Sequence, residues 1–242
     1  MSKAKEWYRA ARRRLVRATR RPPVGGIDFG DLGRSTPVSC NWGFDRGTPI
    51  DRLYIERFLE THAADIRGRV LEVSSNAYTQ RYGGARVTRS DVLHPCEGNP
   101  RATIVADLSR PSAALEGVFD CIICTQTLQF IYEARRAASQ LHRWLKPGGT
   151  LLATVPGISQ ISREDMQQTG DYWRFTDAAL KRMFGDEFGG EAIEVQAHGN
   201  VLASVCLLQG IAVEDCERAL LLEDDPQFQL LLTVRATRSV RS

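Results

Sequence analysis

The chain has 242 residues, 43% of them hydrophobic and 25% charged. These values suit one globular domain with a modest extension and exclude disordered, collagen-like and disulfide-scaffold architectures. The net charge of +3 conceals a division: residues 1–21 carry nine basic side chains against Glu6, net +8, whereas the remainder has 23 basic and 28 acidic residues, net −5. A mildly acidic body thus follows a basic arm.

In chain order, residues 3–21 read as a helix stopped by Pro22-Pro23. The arm lacks the apolar core of a secretory signal. Its arginine content reflects the whole chain, which has 28 Arg and 4 Lys. A glycine-containing irregular stretch runs from Gly25 to Gly47, and Asp51–Thr61 resumes helical spacing through Leu53, Ile55, Phe58 and Leu59. Short β-prone runs then alternate with helices. The runs are Arg69–Val73, Arg86–Arg89, Thr103–Ala106, Phe119–Cys124 and Thr150–Val155. An amphipathic helix, Ala134–Leu145, ends at Lys146-Pro147-Gly148-Gly149, and Thr176 caps another, Asp177–Phe184. Ala192–Ala197 and Phe228–Arg235 read as closing strands around a helical segment, Val201–Leu221. Nearly continuous apolar strands suit a parallel sheet covered on both faces, so the pattern predicts a doubly wound, Rossmann-like α/β domain with an N-terminal helical extension. The expected division is an arm and irregular extension over 1–44 and the main domain over 45–242. No apolar stretch is long enough to span a membrane. The six cysteines are scattered. Cys121 and Cys124, three apart on a strand, face opposite sides and are expected to be core thiols rather than a metal or redox pair. A reduced cytoplasmic compartment and no metal site are the corresponding expectations.

In a parallel α/β sheet, ligands bind beyond the carboxyl ends of the strands, so the residues after each run carry the functional reading. Glu72 through Tyr78 follow the first run. Asp91, nineteen residues past Glu72, stands where a carboxylate usually holds the two hydroxyls of a ribose. Asp107 follows the third run and is placed to accept a hydrogen bond from an exocyclic amine such as that of adenine. Thr125, Gln126 and Thr127 follow the fourth. Carboxylates at strand ends also cap the next helix, and that alternative applies to each acid taken singly.

Glu72–Tyr78, Asp91, Asp107, Phe119-Asp120 through Thr127, and Trp144 through Leu152 (WLKPGGTLL) together resemble a class I S-adenosylmethionine-dependent methyltransferase over about residues 45–235. The resemblance implies a seven-stranded sheet with an antiparallel last strand. It places Glu72 at the methionine amine, Asp91 at the ribose, Asp107 at the adenine and Gln126 under the sulfonium end, with Val92, Leu108 and Thr125 counted among the cofactor contacts. The segments Gly43–Tyr54 (GFDRGTPIDRLY) and Asp171–Thr176 (DYWRFT) look like those of a bacterial subgroup whose members often modify natural products or sugars. One departure concerns the first loop, where the family's three glycines are Ser74, Asn76 and Tyr78. Asn tolerates left-handed backbone; at the bulky Tyr78 either the loop opens differently and the ring covers the cofactor, which is the favoured expectation, or cofactor binding is impaired.

Methyl transfer needs alignment and exclusion of water more than covalent help, but a hydroxyl acceptor also needs a base. His198, Asp171 and Tyr172 are the candidate catalytic groups. Trp173, Arg174 and Tyr54 are the candidate acceptor contacts, because aromatic and guanidinium groups supply rigid contact area and directed donors. Arg46, Asp51, Arg52 and Tyr54 either fold over the cofactor carboxylate or form a surface ion network. The leading expectation is methyl transfer to a hydroxyl or amine of a small polar acceptor, a sugar or other specialised metabolite. Two alternatives stand beside it: a nucleic-acid methyltransferase using the basic arm, and a non-catalytic binding protein of the same fold. The acidic body argues against nucleic acid. The arm is read as an accessory: a lid, a homodimer contact or a tether to an anionic surface.

Overall fold

A computed structural model describes residues 22–240; the helix expected over 3–21 lies outside the described residues. The described residues fall into two units that divide between Thr36 and Pro37. The first holds a single turn of 3₁₀ helix, Gly30–Leu32. Everything below belongs to the second.

Seven strands form one sheet in the order β3-β2-β1-β4-β5-β7-β6. They are β1 (Gly68–Val73), β2 (Val87–His94), β3 (Ile104–Val105), β4 (Phe119–Thr125), β5 (Leu145–Pro156), β6 (Ile193–His198) and β7 (Leu231–Thr237). The first five pair in parallel, and β7 runs antiparallel between β5 and β6. This is the predicted doubly wound sheet with its antiparallel last strand. Alternation along β4 builds both sides of the core: Ile122 and Cys124 join one apolar cluster, Cys121 and Ile123 the other. The two thiols therefore sit on opposite faces, as expected, and burial pushes the Cys124 thiol up to about 12.

Helix α1 (Ile50–Thr61) covers the Cys121 face, and α2 (Ala134–Trp144) and α4 (Asp177–Phe188) cover the other. In α2 the buried residues Ala134, Ala137, Ala138, Leu141 and Trp144 recur at helical spacing and form one stripe against the sheet. The remaining helices are α3 (Arg163–Gln168), α5 (Val201–Gln209) and α6 (Arg218–Leu221). None of the helices among the described residues is long and apolar enough to cross a membrane.

Three expectations need correction. The helical segment Val201–Leu221 is two helices, because Gly210 adopts φ +64 and ends α5 by returning its amide to Leu207. The segment Lys146–Gly149 does not merely end α2. It opens β5 as a bulge, the register jumping from Phe119↔Leu145 to Cys121↔Thr150, with Gly148 at φ +79 where glycine avoids a Cβ clash. Finally, β2 begins at Val87 and runs on to His94 instead of stopping at Arg89. Its polar residues Thr88–Asp91 hide a strand that backbone pairing with β1 continues through Val73↔Leu93.

Candidate active site

Strand order reverses between β1 and β4, which opens a crevice at their carboxyl ends. A cavity of about 730 Å³ occupies it, lined by Glu72–Ser75, Leu93–Cys96, Ala106–Ser109 and Thr125–Thr127. Arg52, Tyr78, Tyr132 and Tyr172 wall it from outside the sheet. Two non-glycine residues turn the chain sharply into this space: Ser74 at φ +68 and Gln126 at φ +47. Such left-handed backbone is uncommon for side-chain-bearing residues and clusters at functional sites. The amides of Ser74 and Gln126 still reach the neighbouring strands, at Leu93 O and Thr154 O.

The glycine-poor first loop has a physical explanation. Of its three substituted positions only Ser74 needs left-handed backbone; Tyr78 has φ −73, ordinary helical geometry. The Tyr78 ring stacks on Tyr82, and its hydroxyl accepts a hydrogen bond from Arg52 Nη1 at 2.8 Å, tying the loop to α1. Asn76 turns away from the cavity, its Nδ2 donating to Ser90 Oγ at 3.4 Å. Glu72 is buried and accepts from the amides of Tyr78 (3.2 Å) and Thr79 (2.7 Å) and from Thr79 Oγ1 (2.7 Å). Burial raises its carboxyl, opposed by these bonds. It braces the loop from beneath while bordering the cavity. Asp107 likewise borders the cavity and caps its own turn, taking the amide and hydroxyl of Ser109 at 2.8 and 2.7 Å. Leu108, Thr125 and Gln126 complete the rim.

Asp91 and Val92 do not reach this cavity. Because β2 continues to His94, they lie inside the strand and are almost completely buried, and the rim beside β1 passes to His94–Cys96. Asp91 instead accepts from Arg69 Nε (2.7 Å), Thr103 Oγ1 (3.0 Å) and Arg89 Nε (3.3 Å). Burial pulls its carboxyl up, but the Arg69 and Thr103 hydrogen bonds and the two arginine charges outweigh that and hold it below the ordinary value. The ribose position expected at Asp91 is therefore corrected by the length of the strand.

His198 and Tyr54 are also removed from the cavities. His198 hydrogen-bonds Thr233 Oγ1 (3.1 Å), faces Asp224 (3.4 Å) and stacks on Tyr54, whose hydroxyl donates to Leu221 O. Burial lowers the His198 pKa against the pull of Asp224. These residues bind β6, β7 and the α6 turn to α1, so the histidine expected to be catalytic is an interior brace.

The DYWRFT segment divides its work. The Asp171 side chain is 2% exposed, receives Arg174 through both carboxylate oxygens (2.6 and 2.9 Å) and also accepts from the amide of Ser162 (2.9 Å). Burial pushes its carboxyl up, yet the Arg174 and Ser162 hydrogen bonds and the Arg174 charge hold it below the ordinary carboxylate range. A carboxylate so fully engaged is not available as a base; this corrects the catalytic expectation for Asp171. Arg174 also donates to Ser159 O and Gln160 O, clasping loop 159–174. Trp173 donates to Ile131 O and Tyr132 O and lines neither cavity. Tyr172 lines the large cavity beside Tyr132, with its hydroxyl returned to Thr169 O.

A smaller chamber of about 220 Å³ adjoins the crevice, sharing Arg52, Gln126, Phe130 and Asp165 with it. Residues 39–49 form one wall, strapped to the 209–215 turn. The Ser39 amide donates to Gln209 O, the Val213 amide to Thr48 O, Arg46 pairs with Asp215, and Glu214 receives Thr48. The strap explains the Gly43–Tyr54 motif: it carries Trp42 and Phe44 over the chamber and sets Asp51 in the first turn of α1. Loop 159–174 forms the opposite wall. Sequence reasoning placed Asp51 in an ion network or over the cofactor, but its Oδ1 is sealed from solvent without a hydrogen-bond partner. Gln129, 4% exposed, lines the chamber with an equally unpartnered Oε1. Nothing in the amino-acid pattern marked Gln129.

Residues 52–153 match the model of a methyltransferase domain. No curated protein matches the sequence. Among solved structures, the N-methyltransferase NodS from Bradyrhizobium japonicum WM9, in complex with S-adenosyl-L-homocysteine, is 16% identical with a TM-score of 0.50; the alignment covers 86% of this chain and 94% of that one. The [4+2]-cyclase SpnF is 16% identical with a TM-score of 0.52, over 81% and 85% of the two chains. An S-adenosylmethionine-dependent methyltransferase from Archaeoglobus fulgidus is 11% identical with a TM-score of 0.50, over 78% and 94%. These likenesses establish the shared fold. Residues 52–153 thus match a methyltransferase domain, and the seven-stranded sheet with a crevice at its switch point is the fold that these solved structures share.

Proposed function

We propose that the protein transfers a methyl group from S-adenosylmethionine to a hydroxyl or amine of a small polar acceptor, a sugar or other specialised metabolite. The observation that carries this reading is the 220 Å³ chamber joined to the 730 Å³ crevice at Gln126. The larger space falls within the ~300–1,000 Å³ of pockets for ligands of cofactor size, and the smaller lies below it.

The crevice fits the cofactor by position and chemistry. Its backbone turns closely at Ser74, a carboxylate borders it at Asp107, and Tyr78 with Arg52 closes the side facing α1. When bound, the cofactor supplies a methyl group already activated on a sulfonium. In this reading Glu72 and Ser74–Tyr78 shape the methionine end, with Glu72 bracing the loop. His94–Cys96 stand beside the ribose in place of Asp91, Asp107 and Leu108 border the base, and Thr125 and Gln126 lie at the junction of the two spaces. Tyr172 and Tyr132 limit solvent entry over the crevice, and the Asp171–Arg174 clasp holds the acceptor wall in place.

The test uses the full chain with methyl-labelled S-adenosylmethionine and a panel of sugars and small hydroxylated or amino metabolites. Labelled product together with S-adenosylhomocysteine supports the reading. Cofactor binding with turnover only on RNA or DNA overturns the small-acceptor class. SpnF carries its cyclase name on the same fold, so product analysis, not binding alone, is the deciding measurement.

A further inference from the structure

Cys206 and Cys216, ten residues apart in the chain, bring their Sγ atoms to 3.5 Å at the end of α5. Cys206 lies on the buried side of the helix, and Cys216 is half-buried just past the 3₁₀ turn Val213–Asp215. The other four cysteines are placed differently: Cys121 and Cys124 face opposite sides of the sheet, and Cys40 and Cys96 are exposed. Between the paired thiols the chain is held at both ends. The Ile211 amide returns to Cys206 O (2.9 Å), and the Cys216 amide to Val213 O (3.1 Å). A disulfide needs its sulfurs at about 2.0 Å, so closure asks for a shift of about 1.5 Å shared by two side chains.

The segment between the thiols is the turn on which the strap is seated. Pro49 bridges to Ala212, the Val213 amide donates to Thr48 O, Glu214 accepts from Thr48, and Arg46 pairs with Asp215. The backbones are also crowded there: a Cβ at Gly210 would strike Ser39 O, and one at Gly43 would press on Gly210 O. The two sulfurs therefore flank the whole foundation of the 39–49 strap.

We propose that Cys206 and Cys216 form a reversible dithiol–disulfide site whose oxidation fixes the 206–216 turn and, with it, the strap that walls the small chamber. The inference is independent of the methyl-transfer reading. The oxidant class is a peroxide, and Cys216, the less buried thiol, meets it first. The Cys216 sulfur attacks one peroxide oxygen, forming an S–O bond as the O–O bond breaks. With hydrogen peroxide the departing hydroxide takes the Cys216 proton and leaves as water. The Cys206 sulfur then attacks the Cys216 sulfur, the S–S bond forms, the S–O bond breaks, and the second hydroxide leaves with the Cys206 proton. Two thiols have lost two electrons, and hydrogen peroxide has become two waters. Burial, then the neighbouring Cys216, raises the Cys206 thiol above its ordinary value, which suits the resolving rather than the attacking role. A small dithiol reverses the reaction by exchange. The closed loop removes open states of the turn, and those are the states in which the bonds to the strap break.

The experiment treats the full chain with stoichiometric hydrogen peroxide, alkylates the remaining thiols and maps the peptides by mass spectrometry without reduction. The expected result is loss of two of the six thiols, a peptide pair linked through Cys206 and Cys216, and recovery of both thiols with dithiothreitol. Cys216→Ser and Cys206→Ala each abolish the link. Hydrogen exchange reads the strap. The Val213 and Ser39 amides, bonded to Thr48 O and Gln209 O, should exchange about tenfold or more slowly in the oxidised chain, and peroxide should not slow them in either variant. Links through Cys40 or Cys96, or Cys216 carried to sulfinic acid while Cys206 stays a thiol, overturn the site. A Cys206–Cys216 link with unchanged exchange at Val213 and Ser39 overturns its hold on the strap. The wild-type mapping decides the site without either variant.

Discussion

The crevice and the chamber beside it are built by opposite means. The crevice stands on the tips of four parallel strands, where backbone pairing fixes every position and local turns shape the rim. The chamber stands between a strap, residues 39–49, and a loop, residues 159–174, that no sheet organises; ion pairs and side-chain-to-backbone bonds hold both walls. The contrast is clearest in two carboxylates on opposite sides of the chamber. Asp171 is saturated with donors and holds a wall in place, whereas Asp51 Oδ1 is buried without a hydrogen-bond partner. On the proposed reading, a rim for a common cofactor is assembled from strand geometry, whereas a chamber for a particular acceptor has walls that vary independently of the sheet.

Breaking the clasp should have the largest effect on stability. Arg174→Ala leaves Asp171 buried without its partner, and removing one member of such a pair costs about 3–5 kcal/mol; urea unfolding measures it. An unchanged midpoint would mean that the chamber wall does not depend on this pair. The same carboxylate predicts a pH effect. Its folded pKa is depressed, so its contribution is complete above the unfolded value and is lost as pH falls through the folded one. Asp171→Asn should therefore flatten the acid-side decline in stability relative to wild type.

Asp91→Asn tests the crevice from below. It should cost about 1.5–3 kcal/mol through weakened bonds to Arg69 and Arg89 while leaving S-adenosylhomocysteine affinity within about twofold. Calorimetry that finds normal stability and lost affinity would restore Asp91 to the ribose.

Tyr78→Phe removes the hydroxyl that accepts from Arg52 and should cost about 1 kcal/mol of stability, with a few-fold weaker cofactor binding. Ser74→Gly should have the smallest effect. It relieves left-handed strain of roughly 1–2 kcal/mol but adds unfolded-chain entropy of roughly 0.5–1 kcal/mol, for a net gain of roughly 0–1.5 kcal/mol in thermal unfolding. A loss there would mean that the Ser74 side chain is itself needed at the turn.

Much of the crevice was legible because its signals are local. The apolar runs marked six of the seven strands closely, and the residues after β1, β3 and β4 do border the cavity. Asp91 misled for a definite reason: the polar residues Thr88–Asp91 resembled a strand end, whereas pairing with β1 carries β2 to His94. The chamber was legible only as unexplained motifs. GFDRGTPIDRLY and DYWRFT stood out, but His198, Tyr54 and Asp171 found partners distant in the chain or across a loop, and those partners decided their roles.

Periodicity, turn residues and strand-end chemistry therefore determined the architecture and the position of the crevice, because each depends on neighbours close in the chain. Tertiary structure decided which polar groups are engaged and which are sealed without a partner. Whether Asp51 remains unmet and Asp171 is fully engaged depends on donors that folding brings, or fails to bring, within about 3 Å, and spacing along the chain does not encode that.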